Sequence, residues 1–203
     1  MAEWPDALER GVAEQAMPGQ TRSGDRAVLA PYEGGALVGA IDGLGHGPDA
    51  ADAAARAAEV LGATPAEHPA ALVQRCHKAL TRTRGAVMTL AWIDVAERTL
   101  RWTAIGNVEG RLVRAGAGPR VPTEGAFMRG GVVGYKLPDV RVTSTQLRDG
   151  DVVVLATDGV ASSFGAAVAT GGGAQELADR ILADHARGTD DALVVVVRFR
   201  AVE

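Results

Sequence analysis

The sequence predicts an α+β protein in which antiparallel strands and helices pack in layers, on three observations. Apolar segments of strand length follow one another across short turns. Two long helical stretches interrupt them side by side, and a last helix leads into a last apolar strand. Strands joined by tight turns pair antiparallel, whereas a parallel sheet needs regular strand–helix alternation, which is missing here. A Rossmann-type sheet is therefore not expected.

Strands are expected at residues 26–32, 36–41, 86–95, 100–105, 110–114, 140–146, 152–156 and 192–199. The runs 152–156 and 193–197 are unbroken apolar sequence, as strands buried on both faces require. Residues 140–146 alternate more and suit a half-exposed strand. Turns are expected at 96–99, 107–110 and 149–150. A helix starts at Pro48, a residue preferred at the first helical position, and runs through an alanine-rich stretch to Leu61. A second is expected from Pro69 to Thr83, with Cys76 in its core, and a third from Gln175 to His185. Gly171, Gly172 and Gly173 read as a loop before that third helix.

The chain has 203 residues and a 47% hydrophobic share, which fits one domain with a sizeable core. A net charge of −4 argues against nucleic acid as a partner. The single cysteine, Cys76, leaves no intramolecular disulfide and no thiolate zinc site. No run reaches the roughly 18 apolar residues of a membrane span. The N-terminus lacks the apolar stretch of a secretory signal, so the expected location is the cytoplasm. An acidic chain with short loops is expected to be a monomer.

Four acidic motifs sit at strand ends: Ser23-Gly24-Asp25, Asp42-Gly43, Asp158-Gly159 and Asp190-Asp191. Each alone is compatible with an ordinary turn. Asp158 and Asp190, at the ends of two fully apolar strands, are harder to dismiss together. Carboxylates gathered without basic partners need a cation, and hard oxygen ligands without cysteine select Mg²⁺ or Mn²⁺. The stretch Asp42-Gly43-Leu44-Gly45-His46-Gly47-Pro48 places an acid, three glycines and a histidine at one strand-to-helix corner.

These motifs, with Arg84-Gly85-Ala86 and Gly106-Asn107 between them, resemble the metal-dependent PP2C-type (PPM) serine/threonine phosphatases. The fit is best to the small bacterial branch of RsbX and the SpoIIE phosphatase domain. The resemblance covers a single domain, residues 1–203, with its core from about Val12 to Arg200. It implies a four-layer αββα sandwich, two antiparallel β-sheets flanked by helices. It also implies two ions, Mn²⁺ or Mg²⁺. By position, Asp42 would bridge them, Gly43 would offer its carbonyl to one, and Asp158 and Asp190 would bind the other. Asp42, Asp158 and Asp190 are thus the implied catalytic set. Asp25 would bind through water or orient a ligand, and Asp191 would orient rather than bind.

The implied reaction is hydrolysis of phosphoserine or phosphothreonine by a metal-bridged hydroxide, on a STAS-domain protein of a bacterial stress-response, partner-switching pathway. Many relatives carry histidine directly after Asp-Gly, where this chain has Leu44. The proton donor to the leaving group is therefore open: His46, a metal-bound water, or none, with His46 alternatively hydrogen-bonding the turn. Two other readings stand beside this one: a catalytically weak, phosphatase-like binding regulator, and a phosphatase of small-molecule phosphoesters. Arg22 and Arg129 are candidate phosphate or partner contacts. Irregular residues 116–134 are expected to border the site.

Overall fold

The computed structural model describes residues 2–116, 123–167 and 172–201. Two mostly antiparallel sheets lie face to face between helical layers. The first pairs β2 (Asp25–Tyr32), β3 (Gly35–Gly43), β4 (Ala86–Asp94) and β5 (Thr99–Ile105), in that order. The second is ordered β1 (Leu8–Gln15), β11 (Ala192–Phe199), β10 (Val152–Ala156), β6 (Glu109–Val113) and β7 (Glu124–Gly125). At the β5 edge, β8 (Met128–Arg129) pairs parallel and β9 (Thr143–Gln146) antiparallel, so the expected antiparallel pairing has one exception.

Side-chain alternation sorts the strands into layers. Val87, Ala91 and Ile93 of β4 meet Leu193, Val195 and Val197 of β11 between the sheets. The intervening Met88, Leu90 and Trp92 turn to α1 (Pro48–Ala63) and α2 (Pro69–Leu80), where Leu61, Leu72 and Cys76 cover them. On the other outer face, Val194 and Val196 pack under Leu177 and Ile181 of α4 (Ala174–His185) and Phe164 of the short α3 (Phe164–Ala167). Strands covered on both faces need apolar residues at every position, hence the unbroken runs of β10 and β11.

The differences from expectation have local causes. Strand β1 was not foreseen, because Leu8–Gln15 is rich in charge; it is an edge strand whose whole length pairs with β11. The strand expected at 140–146 is reduced to Thr143–Gln146, since Val140 instead packs against the cluster under α1 and α2. Helix α2 stops at Leu80 rather than Thr83, as the hydroxyls of Thr81 and Thr83 donate back to the carbonyls of Lys78 and Leu80. Gly171, and residues 117–122 of the irregular segment, lie outside the described residues. Among the described residues, no helix is long and apolar enough to cross a membrane.

Candidate active site

The carboxylates meet where strands of both sheets end. Asp25 opens β2 and stands opposite Asp42 near the end of β3. Asp158 lies two residues past β10, and Asp190 and Asp191 immediately precede β11. Asp42, Asp158 and Asp190 line one cavity of about 350 Å³ with Leu44, Gly45, His46, Val87, Asn107 and Val132. Asp25 and Asp191 sit behind that opening, only 2% and 4% exposed.

The buried pair is held by hydrogen bonds. The Thr157 hydroxyl donates to Asp25 Oδ2 at 2.6 Å and accepts the Leu193 N–H at 2.9 Å, so one side chain joins Asp25 to the neighbouring sheet. Asp191 accepts two backbone N–H groups at 2.7 Å, from Met17 on Oδ1 and from Gly24 on Oδ2. It ties the loop before β2 to the start of β11. The Asn107 amide donates to Asp158 Oδ2 at 2.7 Å, and Asp190 Oδ1 accepts the Asp191 N–H at 2.9 Å.

Gly43 and Gly159, the glycines after two of the acids, share a steric cause. A Cβ on Gly43 would lie 2.1 Å from the carbonyl oxygen of Ala50 in α1. One on Gly159 would lie 1.9 Å from that of Asp191. Neither has a left-handed φ, so each marks a close backbone approach rather than a turn. Gly45 and Gly47 do supply the tight corner, at φ 85° and 77°.

His46 is exposed on this corner and lines the cavity. Its imidazole hydrogen-bonds no described residue, so the glycines, not the histidine, shape the turn. Arg22 pairs with Asp52 at 2.7 Å, and Arg129 lines neither cavity at the site. Sequence reasoning assigned no role to Asn107, Thr157 or Arg187. The signal for Arg187 was a cation three residues before an acid already under suspicion.

The electrostatics are those of crowded anions. Burial first, then Asp42, pushes the Asp25 carboxyl up to about 8 despite the Thr157 hydrogen bond. Burial, then Asp158 and Asp190, pushes Asp42 up to about 7. Asp158 opens to solvent yet is also raised, by partial burial and then Asp190, with Arg187 and the Asn107 amide opposing. Among the described residues, no three acidic, histidine or cysteine side chains close on one point tightly enough to hold an ion as they stand. The donor set nevertheless suits a hard divalent cation: several carboxylates share an opening lined by no described Lys or Arg, and a cation there would oppose the upward shifts at Asp25 and Asp42.

The sequence profile of the Stage II sporulation protein E (SpoIIE) family matches residues 33–200. The chain belongs to the SpoIIE family. Its fold agrees. A protein solved in work on the bacterial stressosome, as a modular system adapted to control secondary messenger signalling, superposes with a TM-score of 0.85 and 27% identity, over 94% of this chain and 99% of its own. RsbX in complex with magnesium gives 0.85 and 19%, over 97% and 98%. The PP2C phosphatase domain of SpoIIE from Bacillus subtilis, with a fragment of its regulatory domain, gives 0.79 and 20%, over 97% and 64%. Among curated proteins none matches this sequence. This SpoIIE-family chain has the fold of the PP2C phosphatase domain.

Proposed function

We propose that this SpoIIE-family chain, acting as a single domain, hydrolyses phosphoserine and phosphothreonine esters on a partner protein, with Mn²⁺ or Mg²⁺ as cofactor. One observation carries the reading: Asp42, Asp158 and Asp190, delivered by strand ends of both sheets, share an opening that no described Lys or Arg lines. Asp42 and the Gly43 carbonyl would hold one ion, and Asp42 with Asp158 and Asp190 a second. Two such ions, when bound, neutralise charge on the transferring phosphoryl group and lower the pKa of the attacking water.

The remaining residues hold this arrangement. Asn107 orients Asp158 through its amide. Thr157 fixes Asp25 behind Asp42, and Asp191 fastens the loop that carries Gly24. His46, exposed on the cavity wall and free of hydrogen bonds to described residues, donates a proton to the departing serine or threonine alkoxide. The RsbX and stressosome proteins it resembles support a protein substrate in a partner-switching pathway; on this reading the substrate is a STAS-domain protein in the cytoplasm, met by this chain as a monomer.

The test is phosphate release from p-nitrophenyl phosphate with Mn²⁺, with EDTA, and by Asp42→Asn. Activity is expected with Mn²⁺ alone and absent in the other two. A folded wild type that binds Mn²⁺ by calorimetry yet hydrolyses neither this ester nor a phosphorylated STAS-domain protein would instead be a binding regulator.

A further inference from the structure

A second cavity, of about 310 Å³, adjoins the carboxylate opening and shares Asn107 and Asp158 with it. Its wall includes Met128, Val160, Ser162 and Arg187. Among the described residues, Arg187 is the one Lys or Arg lining either cavity. Three other arginines near the site are committed, Arg22 to Asp52, Arg84 to Asp49 and Arg111 to Glu109, and Arg129 lines neither cavity. The Arg187 side chain makes no hydrogen bond or ion pair to a described residue, and it is exposed.

Its backbone, by contrast, is fixed. The Arg187 N–H donates to the Gly159 carbonyl at 2.8 Å, Ala186 bridges Val160, and the Ala161 N–H donates to the His185 carbonyl at 2.9 Å. Residues 185–187 are therefore laced antiparallel to the segment that leaves Asp158. A rigid stem with a free head is the arrangement of a ligand-binding side chain rather than of a surface charge that happens to lie nearby.

We propose that Arg187 binds the phosphoryl group of the substrate from the second cavity, beside Asp158. A phosphate dianion entering among Asp42, Asp158 and Asp190 meets like charge, and oxygens turned away from the carboxylates need a donor. A guanidinium offers two parallel N–H donors matched to phosphate oxygens, which an ammonium cannot. The nearness of Arg187 to Asp158 is also felt by that carboxyl, whose rise it opposes. The inference rests on the reading of the site as a phosphoester site.

The experiment is calorimetric titration of inorganic phosphate into the Mg²⁺-loaded protein, with Mg²⁺ titrated separately, for wild type, Arg187→Gln, Arg187→Lys and Arg129→Gln. Arg187→Gln is expected to weaken phosphate about tenfold, the loss of one charge-assisted contact, with Mg²⁺ binding unchanged. Arg187→Lys recovers part of the loss, and Arg129→Gln binds like wild type. In turnover of p-nitrophenyl phosphate, Arg187→Gln raises KM more than it lowers kcat. Unchanged phosphate affinity with tighter Mg²⁺ binding would overturn the proposal, leaving Arg187 only as a charge tuning Asp158. Absence of phosphate binding in wild type overturns it as well. Arg187-dependent phosphate binding by a protein that hydrolyses no ester leaves the proposal standing and removes the catalytic reading instead.

Discussion

Asp25 stands directly opposite Asp42 across the β2–β3 ladder, two carboxylates facing one another on adjacent strands. Like charges so placed destabilise a sheet, and burial of Asp25 deepens the cost. No packing argument favours this pair over an apolar one. A divalent cation held beside the pair, as proposed for this site, would offset that cost.

The pair makes the stability of the metal-free protein depend on pH. Both carboxyls are raised, to about 8 and about 7, so the folded chain keeps protons that the unfolded chain releases near pH 4. The stability they confer is therefore complete below about pH 4 and is lost as pH rises through 7 and 8. In EDTA, Tm is expected to fall from about pH 5 to about pH 8 and level off above, each group contributing up to about 1.4 kcal/mol per pH unit between its unfolded and folded values. Asp25→Asn should flatten that slope, and added Mg²⁺ should raise Tm most at the alkaline end. Parallel slopes for wild type and Asp25→Asn in thermal melts would refute the assignment.

Gly43→Ala tests the close approach of α1 to β3. The new methyl has no room beside the Ala50 carbonyl, so the first turn of α1 must shift. A loss of about 1–3 kcal/mol is expected, with weakened Mn²⁺ binding although every carboxylate remains. Gly62→Ala, in the same helix and with open space around the new methyl, should instead gain about 0.5–1 kcal/mol. Urea denaturation and Mn²⁺ calorimetry on the two variants separate these effects.

Much of this was legible in the sequence, and the reason is burial. Val152–Ala156 and Leu193–Val197 are covered on both faces, so every residue is apolar and the acids just beyond them stand out. Strand β1 escaped because an edge strand tolerates Glu9, Arg10 and Glu14, and its partner β11 lies at the far end of the chain. The glycines after Asp42 and Asp158 read as turn or ligand residues, since a backbone passing within van der Waals range leaves no local mark. Thr157 bridges Asp25 to Leu193, residues remote in sequence, through a hydroxyl that an isolated reading takes for a strand-end polar residue.

Away from the site, Asp151 is fully buried and accepts three hydrogen bonds: from the Arg114 guanidinium at 2.7 Å, the Ala115 N–H at 3.0 Å and the Arg148 N–H at 2.8 Å. It ties β10 to the end of β6. Asp151→Ala removes the buried partner of Arg114, which keeps Glu124, and leaves two N–H groups unmade, a loss of about 2–4 kcal/mol. Because none of these groups lines the carboxylate cavity, Mn²⁺ affinity in the folded fraction should be unchanged. A lowered urea midpoint with wild-type Mn²⁺ calorimetry is the expected pair of results.

His46 distinguishes proton donation from metal chemistry through the leaving group. It is exposed and bonds no described residue, so His46→Gln should change stability by less than about 0.5 kcal/mol. p-Nitrophenolate leaves readily without a proton, and its release should stay near the wild-type rate. A serine alkoxide is far more basic and needs protonation as the P–O bond breaks, so kcat on a phosphoserine peptide should fall about a hundredfold. The dependence of rate on leaving-group pKa should steepen accordingly across a series of aryl and alkyl phosphates. Equal losses on p-nitrophenyl phosphate and phosphoserine would assign His46 to the shape of the cavity, and no loss on either would move the proton donor elsewhere.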